Sequence, residues 1–139
     1  EMTSSLVGSE MCIRDRVVNV QDCWRDRKHP EIFQAVRSCL GKMRVQVREM
    51  EENRERSVFC GNLHFEPHLP ENIALVKARP GVPLYDFPEE EQARLFAEQA
   101  AKYTAPLAVT YCNRCTAGIS LGGGKAVHLM ELAMETYLE

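Results

Sequence analysis

Two short apolar runs that each lead to a cysteine are the strongest constraint on how this chain folds. Residues 17–20 read Val-Val-Asn-Val and are followed closely by Cys23, and residues 107–111 read Leu-Ala-Val-Thr-Tyr and lead directly into Cys112. Short β-branched runs of this kind are typical of buried strands. We therefore expect Cys23 and Cys112 to lie just beyond the C-terminal ends of two strands.

Helical patterns separate and follow these strands. Pro30 opens a segment with apolar residues at three- and four-residue spacing, and Gly41 is expected to cap it. Residues 44–48 alternate like a strand, 62–70 is predicted as loop and 82–85 as extended. Further helices are predicted over 71–79, from the acidic turn at 86–89, from the Cys112 motif to the glycines at 122–124, and over 126–137. The last helix is expected to place Val127, Met130, Met134 and Tyr137 on one side.

The alternation of strands and helices predicts an α/β fold, a small parallel sheet flanked by helices. A chain of 139 residues suits one domain, and its 45% of hydrophobic residues can supply a core. Open α/β sheets bind ligands at the C-terminal edge of their strands. The cysteine motifs and the topology therefore point to the same place.

Composition narrows the class of protein. The net charge is −3, from 17 basic and 20 acidic residues. The sequence therefore lacks the excess of positive charge that is typical of nucleic-acid-binding proteins. No apolar run approaches the ~20 residues that a membrane span needs, so we expect no transmembrane segment. Six cysteines without a visible signal peptide favour metal ligands or catalytic thiols in a reducing compartment over disulfides, which predicts a cytoplasmic protein.

The N-terminal segment is set aside. Residues 4–16 resemble translated sequencing-adapter read-through and show neither helical nor strand periodicity. We therefore treat residues 1–16, with Cys12, as artefactual or disordered, and 17–139 as one domain, the C-terminal part of a longer protein. The ordinary alternative is a flexible N-terminus.

Four of the remaining cysteines form the candidate site. Cys112 and Cys115 make a Cys-x-x-Cys pair, which can chelate a metal or exchange disulfides like thioredoxin. Between Cys23 and Cys60 there are 36 intervening residues, and between Cys60 and Cys112 there are 51, gaps too long for a zinc ribbon or finger. The ligands would have to be brought together by a whole domain. Cys39 falls on the apolar stripe of the first helix and is expected in the core.

From residue 17 to its end the chain resembles the cysteine-rich CCG domain. That domain occurs in heterodisulfide reductase subunits B and D, in the iron–sulfur subunits of glycolate oxidase and anaerobic glycerol-3-phosphate dehydrogenase, and in lactate-utilisation proteins. Residues 19–23 resemble its first cysteine element, 51–61 its Asn-Arg-Glu and Cys-Cys-Gly element, and 109–115 its Cys-x-x-Cys element. The resemblance covers about 120 residues. Two departures are Phe59, where the family has a paired cysteine, and a longer gap from Cys60 to Cys112.

The resemblance implies a cofactor and a role. Cys23, Cys60, Cys112 and Cys115 would bind an iron–sulfur cluster, [4Fe–4S] in the family, with Zn²⁺ as the alternative. The chain would be a redox domain of a heterodisulfide reductase-like oxidoreductase, serving electron transfer or disulfide reduction beside other redox subunits. The alternatives are a zinc-binding structural module and a metal-free thiol–disulfide oxidoreductase using Cys112 and Cys115.

The histidines and arginines outside the cysteine motifs are expected to be structural or solvated. His64 and His68 are expected to be solvated loop residues, and His128 to be structural. Trp24 could shield the site or simply pack. Arg54, Arg56 and Arg114 could donate to a cluster or an anionic substrate, with solvation as the default. No hydrolytic catalytic set, phosphate loop or dinucleotide fingerprint is present, so the sequence predicts neither catalytic residues nor a substrate.

Overall fold

The computed structural model describes residues 16–61 and 64–138, with the side chain of His64 left aside. Within these residues, six strands occur in the order β1 (Val17–Gln21), β2 (Gln46–Val47), β3 (Phe59–Cys60), β4 (His64–Phe65), β5 (Leu107–Thr110) and β6 (Ala126–His128). The same part of the chain forms five α-helices: α1 (Pro30–Lys42), α2 (Pro70–Ala78), α3 (Glu89–Ala100), α4 (Asn113–Leu121) and α5 (Leu129–Leu138). The predicted α/β class is confirmed.

A four-stranded parallel sheet forms the centre of the domain, in the order β2-β1-β5-β6. β1 and β5 pair in register, with Val20 opposite Val109 and Gln21 opposite Thr110. The chain therefore leaves both strands at the same edge of the sheet. This register brings the segments that follow β1 and β5 side by side, as the sequence predicts.

The two faces of the sheet bury different clusters, because successive side chains of a strand point to opposite faces. One face carries Val18 and Val20 of β1 and Val109 of β5, which pack with Leu40 of α1 and Leu132 of α5. The other carries Ala108, which packs with Phe96 of α3 and Ile119 of α4. The cysteines Cys23, Cys60 and Cys115 belong to this second cluster. The candidate site thus lies on the side of the sheet covered by α3 and α4.

The segment predicted as loop over 62–70 contains a strand. β3 and β4 pair antiparallel, with Phe59 opposite Phe65 and Cys60 opposite His64. Strands of two residues are too short to carry a period-two pattern, so sequence periodicity does not reveal them. The pair matters for the site because it holds Cys60 in an ordered strand.

The helix predicted over 126–137 is wrong at its start. Residues 126–128 form β6, which pairs with β5, and α5 begins only at Leu129. A short apolar run does not distinguish a buried strand from a helix start, and here the open edge of β5 decides the outcome. Val127 is consequently buried in the sheet, whereas Met130, Met134 and Tyr137 are exposed on α5 and share no face with it.

Smaller differences concern element ends. α1 continues through Gly41 to Lys42, and Arg44 follows in a left-handed conformation with φ 63°. The predicted strand over 44–48 is reduced to two residues, and the extended segment over 82–85 ends in a 3-10 turn, Leu84–Asp86. Among the described residues, no helix combines the length and apolarity required to cross a membrane.

Candidate metal centre

Four cysteine side chains converge at one point. The sulfur atoms of Cys23, Cys60, Cys112 and Cys115 all lie within 4.8 Å of one another. They come from three separate parts of the chain, as the long gaps between them require. Cys39 packs against the opposite core cluster, as expected, and Cys12 lies outside the described residues. These four thiols could hold a metal ion.

β1 determines where Cys23 lies. The strand ends at Gln21, and a 3-10 turn, Trp24–Asp26, starts directly after Cys23, with the Asp26 N–H donating to the Cys23 carbonyl at 2.9 Å. The Cys23 N–H donates to the Tyr111 hydroxyl at 3.2 Å. Tyr111 precedes Cys112, so the main chain at one ligand is bonded to the residue before another.

α4 positions the Cys-x-x-Cys pair. Cys112 is the N-cap residue in an extended conformation, and Cys115 lies in the first helical turn. The Cys112 carbonyl accepts from the Thr116 N–H at 3.1 Å. A helix places residues three apart on one face, so the two sulfurs point the same way.

Two glycines bring Cys60 to this helix. A Cβ atom added at Gly61 would lie 2.2 Å from the Arg114 carbonyl oxygen. A Cβ atom added at Gly118 would lie 3.2 Å from the Gly61 Cα and 2.9 Å from the ring of Phe59. The backbones of β3 and α4 therefore approach closely only because both positions lack side chains. This approach brings Cys60 within reach of Cys115.

Burial is uneven across the four ligands. Cys23, Cys60 and Cys115 are 2%, 1% and 0% exposed, whereas Cys112 is half-buried. Three of the four thiols are therefore shielded from solvent, and Cys112 is the one that reaches the surface.

Without metal, the thiols share protons unequally. Hydrogen bonds from Cys115, Cys23 and Cys60 lower the pKa of the Cys112 thiol. The pKa of Cys115 is raised, first by its hydrogen bond to Cys112 and also by burial, and the pKa of Cys23 is raised, first by its bond to Cys112. Cys112 is therefore the group that holds a thiolate first. Thiolate is the form that binds metals and reacts as a nucleophile.

Phe59 occupies the position at which the CCG pattern, which the sequence resembles, has a cysteine. Its side chain is fully buried, and its ring meets Phe65 and Phe96 edge-on, with centroid distances of 5.8 and 6.3 Å. Position 59 therefore contributes to an aromatic cluster.

The remaining candidates have other partners. The His68 ring pairs with Glu52 at 2.8 Å, and His128 Nδ1 accepts from the Met130 N–H at 3.0 Å, which supports the structural interpretation. Arg54 lies 3.5 Å from Glu49, and Arg56 donates to the Glu51 carbonyl at 2.9 Å. The remaining three candidates have no assigned role: Trp24 is half-buried with the Arg27 guanidinium 5.8 Å above its ring, Arg114 is exposed, and the side chain of His64 lies outside the description.

One residue with an evident place in the site was missed by sequence reasoning. Asp22 is completely buried, and its carboxylate accepts a hydrogen bond from the Tyr111 hydroxyl at 3.0 Å. It also forms an ion pair with Arg37 at 2.7 Å. An acidic residue between a buried strand and a cysteine is a signal that could have suggested this role.

Comparison of the chain with protein-family models, with curated proteins and with solved structures gives no match. The function is therefore inferred from the site itself.

A set of four thiolates suits two kinds of occupant. In a tetrahedral zinc site the Zn–S distance is ~2.3 Å, which places the sulfurs about 3.8 Å apart. Iron–sulfur clusters are also held by four cysteines, but the body of the cluster holds the ligand sulfurs further apart than a single ion does. Either occupant matches the donor chemistry of Cys23, Cys60, Cys112 and Cys115.

Proposed function

We propose that this chain is a metal-binding redox module of a heterodisulfide reductase-like oxidoreductase, and that its four cysteines hold an iron–sulfur cluster. The observation that carries the proposal is the meeting of four thiols at the C-terminal edge of a parallel sheet, within 4.8 Å of one another. The order and spacing of the cysteines, which resemble the CCG domain, support the redox class.

The exposure of the four ligands supports electron transfer in particular. A bound iron–sulfur cluster would supply one-electron chemistry. Three buried cysteines would exclude water from most of the site, and Cys112 would bring one edge of it to the surface. An electron partner or a disulfide substrate could then approach at Cys112, where Asn113 and Arg114 are also exposed. The partners would be other redox subunits or domains of the same assembly.

The spacing of the sulfurs favours a second candidate, a zinc-binding structural module. A limit of 4.8 Å between ligand atoms is close to the dimensions of one tetrahedral ion. Phe59 also removes a thiol that the family's five-cysteine copies supply. In this case the metal would stabilise the domain and would carry no electrons.

The third possibility, a metal-free thiol–disulfide enzyme, has less support. The lowered pKa of Cys112 and the position of Cys115 one turn later suit disulfide exchange. However, such an enzyme needs two cysteines, and here Cys23 and Cys60 share the same cluster.

Elemental analysis separates these candidates. The protein is purified without oxygen, and iron, acid-labile sulfide and zinc are counted per chain, followed by electron paramagnetic resonance after reduction. We expect iron and sulfide in comparable amounts and a signal from the reduced cluster. Cys60→Ser should lose the metal, whereas Cys39→Ser, which alters a thiol outside the cluster, should retain it. One zinc and no iron would establish the second candidate, and neither metal in the native protein would favour the third.

A further inference from the structure

A buried carboxylate connects the chain segments that carry the cysteines. Asp22 has no exposed surface and directly precedes Cys23. Its Oδ1 atom accepts from the Tyr111 hydroxyl at 3.0 Å, and its Oδ2 atom accepts from the Arg54 N–H at 2.8 Å. Tyr111 directly precedes Cys112, and Arg54 lies in the segment that leads to Cys60. One carboxylate thus joins its own segment, which carries Cys23, to the segments that carry Cys112 and Cys60.

Arg37 of α1 fixes the orientation of this carboxylate. Its Nη1 and Nη2 atoms donate to Oδ1 and Oδ2 of Asp22 at 2.9 and 2.7 Å, a bidentate arrangement with only 11% of the arginine side chain exposed. Burying a charge is unfavourable unless it is paired and hydrogen-bonded. Here each carboxylate oxygen accepts two hydrogen bonds, so the carboxylate has one defined position.

The Tyr111 hydroxyl links the Asp22 carboxylate to the main chain of Cys23. It donates to Asp22 and accepts from the Cys23 N–H at 3.2 Å. A single hydroxyl therefore joins the end of β1 to the end of β5, immediately before a ligand in each case. Removing it would release the Cys23 main chain from the Cys112 segment.

The segment before Cys60 is held by the main chain as well. Arg54 adopts a left-handed conformation with φ 59°, which is unfavourable for a residue with a side chain. Such conformations persist where the surroundings impose them, and they cluster at functional sites. In addition, the Ser57 hydroxyl donates to the Asp22 carbonyl. We call Asp22, Arg37, Tyr111 and the Arg54 N–H the Asp22 clamp.

We propose that the Asp22 clamp is a positioning device, which sets Cys23, Cys112 and the approach to Cys60 at metal-binding distance before a metal arrives. This inference rests on the proposed four-thiolate centre. Residues that hydrogen-bond to metal ligands, without touching the metal, affect both the geometry of the site and its affinity for the metal. If the ligands are held loosely, they must be ordered when the metal binds, which weakens binding.

Tyr111→Phe tests the clamp with little change in packing. Asp22→Asn is less suitable, because it also removes one of the two charged partners of Arg37 and leaves that arginine paired with Glu49 alone. The matched control is Tyr103→Phe, which removes a hydroxyl of another half-buried tyrosine. That hydroxyl accepts from the Gln99 side chain at 3.0 Å and donates to the Gln21 side chain, and it makes no hydrogen bond to the Asp22 carboxylate. Wild type and both variants are compared as metal-free protein for thermal stability and are then titrated with Co²⁺.

The cobalt titration reports affinity and ligand geometry together. We expect Tyr111→Phe to weaken Co²⁺ binding by about 10- to 100-fold, the usual effect of losing a residue that orients a ligand, and to shift the thiolate-to-cobalt absorption bands. Tyr103→Phe should reduce thermal stability similarly but keep wild-type affinity and bands. Equal affinities and spectra for the two variants would overturn the proposal, because the hydroxyl of Tyr111 would then be merely structural.

A second measurement needs no metal. Metal-free protein is equilibrated with oxidised and reduced glutathione. In this exchange two protein thiols are oxidised to a disulfide, while one molecule of oxidised glutathione is reduced to two molecules of reduced glutathione. Peptide mass mapping then quantifies the Cys23–Cys112 disulfide. We expect Tyr111→Phe to lower its equilibrium constant about tenfold, and Tyr103→Phe to leave it unchanged, because proximity of the thiols sets that constant.

The two measurements separate failure of the clamp from failure of the metal centre. If wild type binds no Co²⁺ but Tyr111→Phe still lowers the disulfide constant, the clamp stands and the proposed function does not. If wild type binds Co²⁺ and Tyr111→Phe alters neither affinity nor disulfide constant, the clamp is wrong and the metal centre stands.

Discussion

Gly118 of α4 lies so close to Gly61 that a Cβ atom on Gly118 would approach the Gly61 Cα to 3.2 Å. On the Gly61 side, an added Cβ would lie 2.2 Å from the Arg114 carbonyl oxygen, a contact that only a backbone shift can relieve. The ligand Cys60 precedes one of these glycines and Cys115 precedes the other by one turn. The distance between the two sulfurs therefore depends on positions that carry no chemistry of their own.

Gly61→Ala should separate the strand that carries Cys60 from α4. We expect a loss of about 1–3 kcal/mol in the free energy of unfolding, typical of overpacking, together with a marked loss of bound metal. Urea denaturation and metal analysis measure the two effects. Gly41→Ala is the matched control, because nothing lies within 4 Å of its added Cβ and the position is inside α1. It should stabilise the protein by about 0.4–1 kcal/mol with metal content unchanged, and a Gly61→Ala protein that retains its metal would contradict the prediction.

A cysteine introduced at position 59 should not join the cluster of four thiols. Phe59 is packed among Phe65 and Phe96, and neighbouring residues of a strand point to opposite faces, so position 59 faces away from the Cys60 side. Phe59→Cys should therefore cost about 3–5 kcal/mol through loss of a buried ring, while metal per chain stays the same. Thermal unfolding and elemental analysis test this. A rise in iron or sulfide per chain would show that the new thiol joins the centre.

Cys112 should be the first cysteine of the cluster to react with iodoacetamide in metal-free protein. It is half-buried while its three neighbours are buried, and their hydrogen bonds lower its pKa. Timed labelling with peptide mass mapping measures the order. Cys39, which is also partly exposed but lies outside the cluster, serves as the internal reference. Bound metal should protect Cys112 and leave Cys39 unaffected, and faster labelling of Cys23 or Cys115 would refute the predicted order.

Stability should fall in acid through Glu49. A hydrogen bond from Arg37, together with one from Asn53, lowers the pKa of Glu49 from 4.5 to about 2. Because the folded-state pKa is depressed, this contribution is present above pH 4.5 and is lost as the pH falls toward 2. The carboxylate is 44% exposed, so the effect should stay within ~1 kcal/mol.

Glu49→Gln measures that contribution. Urea denaturation at pH 6 should find the variant less stable than wild type, and the difference should shrink at pH 3. A difference that is equal at both pH values would mean that the charge of Glu49 is not what stabilises the fold.

Sequence patterns predict the centre of this fold and the convergence of its four cysteines, for physical reasons. The β-branched runs that become β1 and β5 must be buried on both faces, and the cysteines that follow them are fixed by chain continuity. β3, β4 and β6 escape prediction because they are two or three residues long, and pairing with a neighbouring strand decides their conformation.

The hydrogen bonds that hold the cysteine-bearing segments in place are harder to predict from the sequence. Arg37 interrupts the pattern of α1 as any surface arginine would, and only the folded chain shows that it reaches Asp22. Likewise, the Tyr111 hydroxyl finds the Cys23 N–H across the sheet. Hydrogen bonds between residues far apart in sequence leave no periodic trace, so they must be observed.

The pairing of β1 with β5 has a consequence for how a metal would enter. In a small zinc finger the metal itself must close the chain loop between its ligands, so binding and folding occur together. Here the loop between Cys23 and Cys112 is already closed by the parallel ladder, and its entropy has been lost in forming the sheet. A metal bound by the four cysteines could therefore enter and leave while the chain stays folded.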